Sequence, residues 1–224
     1  MNQEQWLQHR SLSLPLADAE LDADLALPAD ASGIVLFAHG SGSSRFSPRN
    51  RMVADYLNHL GLATLLLDLL TEDEHRIDML SREFRFDIAL LTRRLLAAID
   101  HLRHDEELRQ LPIGLFGAST GAAAALKAAA ERPSAVAAVV SRGGRTDLAE
   151  PALQQVKAPT LLIVGEWDDT VLALNRESAR QLQGPQRLEV VPGASHLFEE
   201  PGKLEVVAEL AGSWLLNHLQ PQPE

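Results

Sequence analysis

Five continuously apolar runs, separated by stretches of helical periodicity, constrain this chain more than any other feature. Residues 34–38 (Ile-Val-Leu-Phe-Ala), 62–68 (Leu-Ala-Thr-Leu-Leu-Leu-Asp), 112–116, 135–140 and 160–164 carry almost no polar side chains. A strand reads that way when both of its faces are covered, which is the situation in a parallel sheet. Residues 187–191 form a sixth, more polar run suited to an edge. Between the runs lie helical stretches at 50–60, 83–103, 121–131, 172–183 and 203–218. In the second, Ile88, Leu91, Leu95 and Ile99 share one face. Alternation of this kind predicts a parallel sheet with right-handed crossovers and helices on both faces.

The first thirty residues differ. Residues 12–16 and 21–27 alternate apolar and polar with period two, and Pro15 suits an edge. They predict an antiparallel hairpin leading into the parallel sheet. No repeat, low-complexity segment or linker interrupts the 224 residues, so one α/β domain over 1–224 is expected, with 1–9 and 219–224 as flexible ends.

Composition removes several function classes. The formal net charge of −11 disfavours nucleic acid and anionic membrane surfaces as partners. The absence of cysteine excludes disulfides, thiolate metal sites and a thiol nucleophile. The N-terminus has neither a basic nor an apolar leader region, and no apolar run approaches membrane-spanning length. A cytoplasmic location is the expectation.

The chemistry centres on Gly117-Ala118-Ser119-Thr120-Gly121, placed where a buried strand hands over to an Ala-rich helix. A serine on such a turn projects its hydroxyl above the sheet, and the flanking residues must be small. The pattern alone would occur by chance in roughly 8% of chains of this length; its position between strand and helix is what gives it weight. A serine hydroxyl needs a base. His196, after the last strand, suits that role better than the other seven histidines, five of which fall in the N-terminal segment or on amphipathic helices. The acid is expected after the preceding strand, in Gly165-Glu166-Trp167-Asp168-Asp169, with Asp168 as acid and Asp169 capping the next helix. The turn His39-Gly40-Ser41-Gly42 can supply one oxyanion-binding N–H, that of Ser41. Thr120 supplies the other. That turn lacks the lysine of a phosphate loop, which disfavours a nucleotide site.

Taken in order, Phe37–Arg45, Gly117–Gly121, Gly165–Asp168 and Gly193–His196 resemble the dienelactone-hydrolase-like branch of the α/β-hydrolase superfamily, over roughly residues 10–218. The resemblance implies a mostly parallel sheet of about eight strands, a Ser-His-Asp triad, and hydrolysis of a carboxylic ester or related acyl bond. Dienelactone hydrolases themselves carry a cysteine nucleophile, whereas this chain has Ser119, which favours a general esterase. An acyltransferase or peptidase on the same triad, or a non-catalytic binding protein, is the alternative.

Only 16 residues, Arg142 to Lys157, are available where larger relatives carry a cap, so an open site without a large cap domain is expected. Arg45, Arg142 and Trp167 are candidates for substrate contact. The arginines, with Arg145, follow strand ends and can either fork a substrate carboxylate or pair with surface acids, the latter being favoured. Residues 71–78 read as a polar loop at the mouth. No cofactor or metal is implied. The expected partner is a small ester, and the expected assembly is a monomer or homodimer.

Overall fold

The computed structural model describes residues 6–219. Eight strands form one sheet: β1 (Leu7–Pro15), β2 (Glu20–Pro28), β3 (Ile34–Ala38), β4 (Ala63–Leu67), β5 (Ile113–Ala118), β6 (Val136–Arg142), β7 (Thr160–Gly165) and β8 (Gln186–Val191). Their spatial order is β1-β2-β4-β3-β5-β6-β7-β8. The β1–β2 and β2–β4 pairs are antiparallel and every other pair is parallel. This is the α/β-hydrolase architecture that the sequence predicts. Every residue of β3, β4, β5 and β7 is buried, as their unbroken apolar runs require.

Six helices cover the sheet: α1 (Pro48–His59), α2 (Glu72–Ser81), α3 (Ile88–His104), α4 (Thr120–Glu131), α5 (Asp169–Ala179) and α6 (Lys203–His218). Alternate strand residues feed two cores. Leu36, Leu65 and Leu115 pack toward α3 and α4, while Val35, Phe37 and Phe116 pack toward α1 and α6. Two 3-10 turns, Thr146–Ala149 and Ala152–Gln155, separate β6 from β7, so among the described residues no cap domain is inserted there.

Three local expectations need correction. β1 begins at Leu7 and pairs with β2 through Leu7↔Pro28, within a stretch expected to be a flexible end. Its polar residues suit an edge, and Arg10 is anchored to Glu107 at 2.5 Å. The rest of the expected N-terminal end, and residues 220–224, lie outside the described residues.

The polar stretch 71–78 is helical. Thr71 and Glu74 form a reciprocal capping box, and Glu72, Asp73 and Glu74 crowd the positive end of α2. α2 stops at Arg82, which is left-handed with φ 61°. Consequently α3 starts at Ile88, capped by Asp87, instead of at residue 83.

The cap of α5 is the third. Asp169 is the first helical residue, and Asp168 occupies the capping position without making a side-chain cap bond. Its carboxylate is engaged elsewhere.

Candidate active site

The turn between β5 and α4 leaves Ser119 at φ 50° and ψ −118°, a conformation sparsely populated by L-residues. The surrounding backbone holds it there. Ser119 donates its N–H to the Arg142 carbonyl at 3.1 Å, and its own carbonyl accepts from Ala122 and Arg145. The flanking glycines are required by contact. A Cβ on Gly117 would lie 2.4 Å from the Ala122 Cα, and one on Gly121 would lie 2.1 Å from the Ala38 carbonyl oxygen. The motif is therefore what lets α4 start directly against the end of β3.

His196 sits in the loop between β8 and α6, and several contacts strap that loop to the end of β7. Glu166 and Trp167 donate their N–H groups to the carbonyls of Val191 and Ala194, both at 3.0 Å. Gly165 permits the approach, since a Cβ there would be 2.3 Å from the Ala194 oxygen. Glu166 accepts the Gly193 N–H at 2.7 Å, and Glu200 accepts the Ser195 N–H at 3.0 Å. Within this frame His196 Nδ1 meets Asp168 Oδ2 at 2.5 Å. Among the described residues, Nε2 has no hydrogen-bond partner. The ring lies over Gly143, whose φ is 53°; a Cβ added there would stand 3.3 Å from ring atoms Cε1 and Nδ1.

Ser119 and His196 line one cavity of about 220 Å³, together with Gly40, Ser41, Arg49, Asn50 and Arg142. Three larger depressions, of about 350, 290 and 410 Å³, lie at the hairpin, around Arg45 and beside α2, and contain neither residue. Size alone would misplace the site.

Ser41 and Thr120 meet through their hydroxyls, 3.0 Å apart, and Ser41 Oγ also donates to the Arg85 carbonyl at 3.3 Å. Among the described residues, neither of their N–H groups has an acceptor. Asp78, fully buried, holds the segment after α2 by accepting from the N–H groups of Phe84 and Arg85 and from the Arg85 guanidinium. α2 and its following turn thus buttress the Ser41 loop, a connection that sequence spacing did not reveal.

His39 is a second such support. Leu69 donates its N–H to His39 Nε2 at 3.0 Å, which requires that nitrogen to be unprotonated. The proton is then on Nδ1, which donates to the Gly40 carbonyl at 3.0 Å. Burial pushes the imidazole pKa down, against the opposing influence of that hydrogen bond and of Asp68, so the neutral form is the structural one.

The three candidates for substrate contact separate. Arg45 is engaged by Asp68, by Asp22 at 3.2 Å and by Asp24 at 3.7 Å, and lines a neighbouring cavity instead of that of Ser119. Its role is the acid pairing that sequence reading favoured. Arg145 is likewise held by Asp147 at 2.8 Å. Trp167 is 64% exposed and stands outside the Ser119 cavity. Arg142 alone lines it, buried, with no carboxylate partner.

The fold and these loops define a member of the α/β-hydrolase class. Residues 21–215 match the model of the Dienelactone hydrolase family, and the chain belongs to that family. It is 56% identical to the solved structure of a dienelactone hydrolase from Anabaena variabilis, with a TM-score of 0.95, covering 96% of this chain and 100% of that one. Est1E from Butyrivibrio proteoclasticus, at 16% identity and a TM-score of 0.78 over 93% of this chain and 98% of its own, shares the fold. A Mycobacterium tuberculosis protein named "Putative phosphoribosyl transferase" is 55% identical over 195 residues, which are 87% of this chain and 43% of that protein. The chain therefore spans less than half the length of this curated relative. Among the described residues, no helix is long and apolar enough to cross a membrane.

Proposed function

We propose that this chain is a serine hydrolase of small carboxylic esters, with Ser119 as nucleophile, His196 as general base and Asp168 as its orienting acid. The observation that carries the proposal is the 2.5 Å contact between His196 Nδ1 and Asp168, with Nε2 left unpartnered on a residue that shares its cavity with Ser119. A base oriented through one nitrogen and open at the other is what activation of a serine hydroxyl demands. The 56% identity to a dienelactone hydrolase supports acyl-bond hydrolysis as the reaction class. The transferase name of the mycobacterial relative describes a chain of more than twice the matched length and is not carried over.

In this mechanism His196 Nε2 takes the Ser119 proton as Oγ attacks the ester carbonyl. The N–H groups of Ser41 and Thr120 receive the oxyanion, and the imidazolium protonates the departing alcohol. Water, deprotonated by His196, then attacks the acyl-serine, and collapse of the second intermediate returns the proton to Ser119. No residue of the chain outside this set has to transfer a proton. The absence of a cap favours short acyl chains, because a long chain would have little apolar surface to cover it.

Initial rates on p-nitrophenyl acetate, butyrate and dodecanoate test the proposal, with Ser119→Ala and His196→Ala alongside. The reading expects turnover that declines with chain length and falls about a thousandfold or more in either variant. Undiminished turnover in both would overturn it.

A further inference from the structure

The end of β6 and the loop after it, residues 142–145, meet the proposed triad through several contacts. The Arg142 carbonyl accepts the Ser119 N–H at 3.1 Å, and the Arg145 N–H donates to the Ser119 carbonyl at 3.0 Å. Gly143 underlies the His196 ring, and Gly144 presses on the first turn of α4, where an added Cβ would lie 2.7 Å from the Ala122 Cβ. A strained conformation such as that of Ser119 persists only while its surroundings hold it. The loop that holds it must itself be anchored. One anchor is the sheet, through the Gly143 N–H and the Ile163 carbonyl at 2.8 Å.

Asn175, on α5, is the other. It is fully buried, and its side-chain amide lies 2.8 Å from two carbonyl oxygens, those of Gly144 and Val171. Carbonyl oxygens only accept, so the atom facing both is Nδ2, with one hydrogen for each. Among the described residues Oδ1 has no hydrogen-bond partner. Burying an amide with an orphaned oxygen is costly, and an apolar side chain would fill the space without that cost. The bond to Val171 lies within α5, and a serine could replace it. The bond to Gly144 crosses to another element. Asn175 stands about two turns beyond Asp168, whose carbonyl accepts the Leu172 N–H at 2.8 Å, so α5 carries both residues.

We infer that Asn175 is a positioning residue for the triad, its amide clamping the helix that presents Asp168 to the loop that holds Ser119 and underlies His196. The inference rests on the proposed triad, and Asn175 itself touches no substrate. Without the clamp, α5 and the loop can shift against each other, and the Asp168–His196 pair moves relative to Ser119. Gly40, Ser41, Ser47, Arg49 and Asn50 line the cavity from the segment between β3 and α1 and have no part in the clamp. Substrate binding should therefore persist while the chemical step slows, since a displacement of about 1 Å can cost a hundredfold in rate.

Three variants test the clamp. Asn175→Leu removes both donors, and Asn175→Ser keeps a hydroxyl for the Val171 carbonyl but cannot reach Gly144. Ser178→Ala, at a buried position one turn further along α5, controls for packing. Exhaustive fluorophosphonate labelling counts the intact sites, and p-nitrophenyl butyrate kinetics then give kcat per site and KM. Proton NMR follows the low-field resonance of the His196 Nδ1–H. A merely structural role would lower the number of sites and leave kcat per site unchanged. The clamp predicts that both Asn175 variants lose about tenfold or more in kcat per site with KM within about twofold, and that their His196 resonance shifts or broadens. Ser178→Ala should match wild type in all three readouts.

If Asn175→Leu does not fold, Asn175→Ser decides alone. A kcat per site within about twofold of wild type, a rise in KM alone, or an equal fall in Ser178→Ala would overturn the clamp and leave the esterase reading intact. Wild-type protein that hydrolyses no ester would remove the esterase reading instead. The His196 resonance then decides the clamp, supporting it if displaced in Asn175→Ser and overturning it if unchanged.

Discussion

Substituting Gly121 by alanine sets two known effects against each other. In an exposed helix interior, replacing glycine by alanine stabilises by about 1 kcal/mol. Gly121 is the second residue of α4, so propensity alone predicts a gain. The contacts predict the opposite. The added methyl would stand 2.1 Å from the Ala38 oxygen and 2.5 Å from the His39 oxygen, both backbone atoms at the end of a central strand. No side-chain rotation relieves that overlap, so overpacking should cost about 3 kcal/mol, the upper end of its usual range. The net expectation is a loss of about 2 kcal/mol in urea unfolding. Relief requires the start of α4 to retreat by about 1 Å, and displacements of that size can cost about a hundredfold in rate. The retreat would carry Ser119 and the Thr120 N–H with it. Gly61→Ala is the control. Its φ is 81° with no atom within 4 Å of the new methyl, so it should lose about 1–2 kcal/mol to backbone strain and leave kcat/KM unchanged. A Gly121→Ala protein as stable as wild type, with activity within twofold, would refute the reasoning.

Further outcomes follow from the same contacts. Asp168→Asn should lower kcat by about 10³–10⁴ by removing the acceptor that fixes the His196 tautomer, whereas Asp169→Asn should stay within a few-fold, as read from pNP-ester kinetics. The Arg94 hydrogen bonds hold the Glu74 carboxyl below the usual carboxylate range. Its contribution is complete above the ordinary glutamate pKa and is lost as pH falls through the depressed folded value. Glu74→Gln should therefore destabilise at pH 7 by about 3 kcal/mol, because Arg94 stays buried without its partner, and should flatten the acid limb of a urea-melt pH series. His39→Phe should cost about 1–3 kcal/mol by orphaning the Leu69 N–H. Because burial lowers the folded His39 pKa, wild type should lose stability as pH drops below about 6.5, the ordinary histidine value, and the variant should lack that component.

The parallel strands were legible because both their faces are buried, a condition that writes itself into composition. The site loops were legible because strand-to-helix turns at β5, β7 and β8 carry their own short motifs. What escaped was tertiary or locally misread. The capping box of Thr71 and Glu74 was visible in the sequence, yet the polarity of residues 72–78 masked it. Asp168 and Asp169 compete for one capping position, and the competition is decided by His196, 28 residues away. Arg45 and Arg142 follow strand ends in the same manner, and only the fold shows that one faces three aspartates and the other none. The glycine at 143 has no local signature, since it is needed only for the close passage of the His196 ring.

The central claim is that Ser119 is an activated nucleophile, and covalent labelling tests it most directly. The protein would be treated with a fluorophosphonate, digested, and the modified peptide mapped by mass spectrometry, with His196→Ala in parallel. The account predicts a single adduct on Ser119, formed rapidly in wild type and about a thousandfold or more slowly in His196→Ala. A protein that stays unlabelled while folded, or labels at another residue, would contradict it.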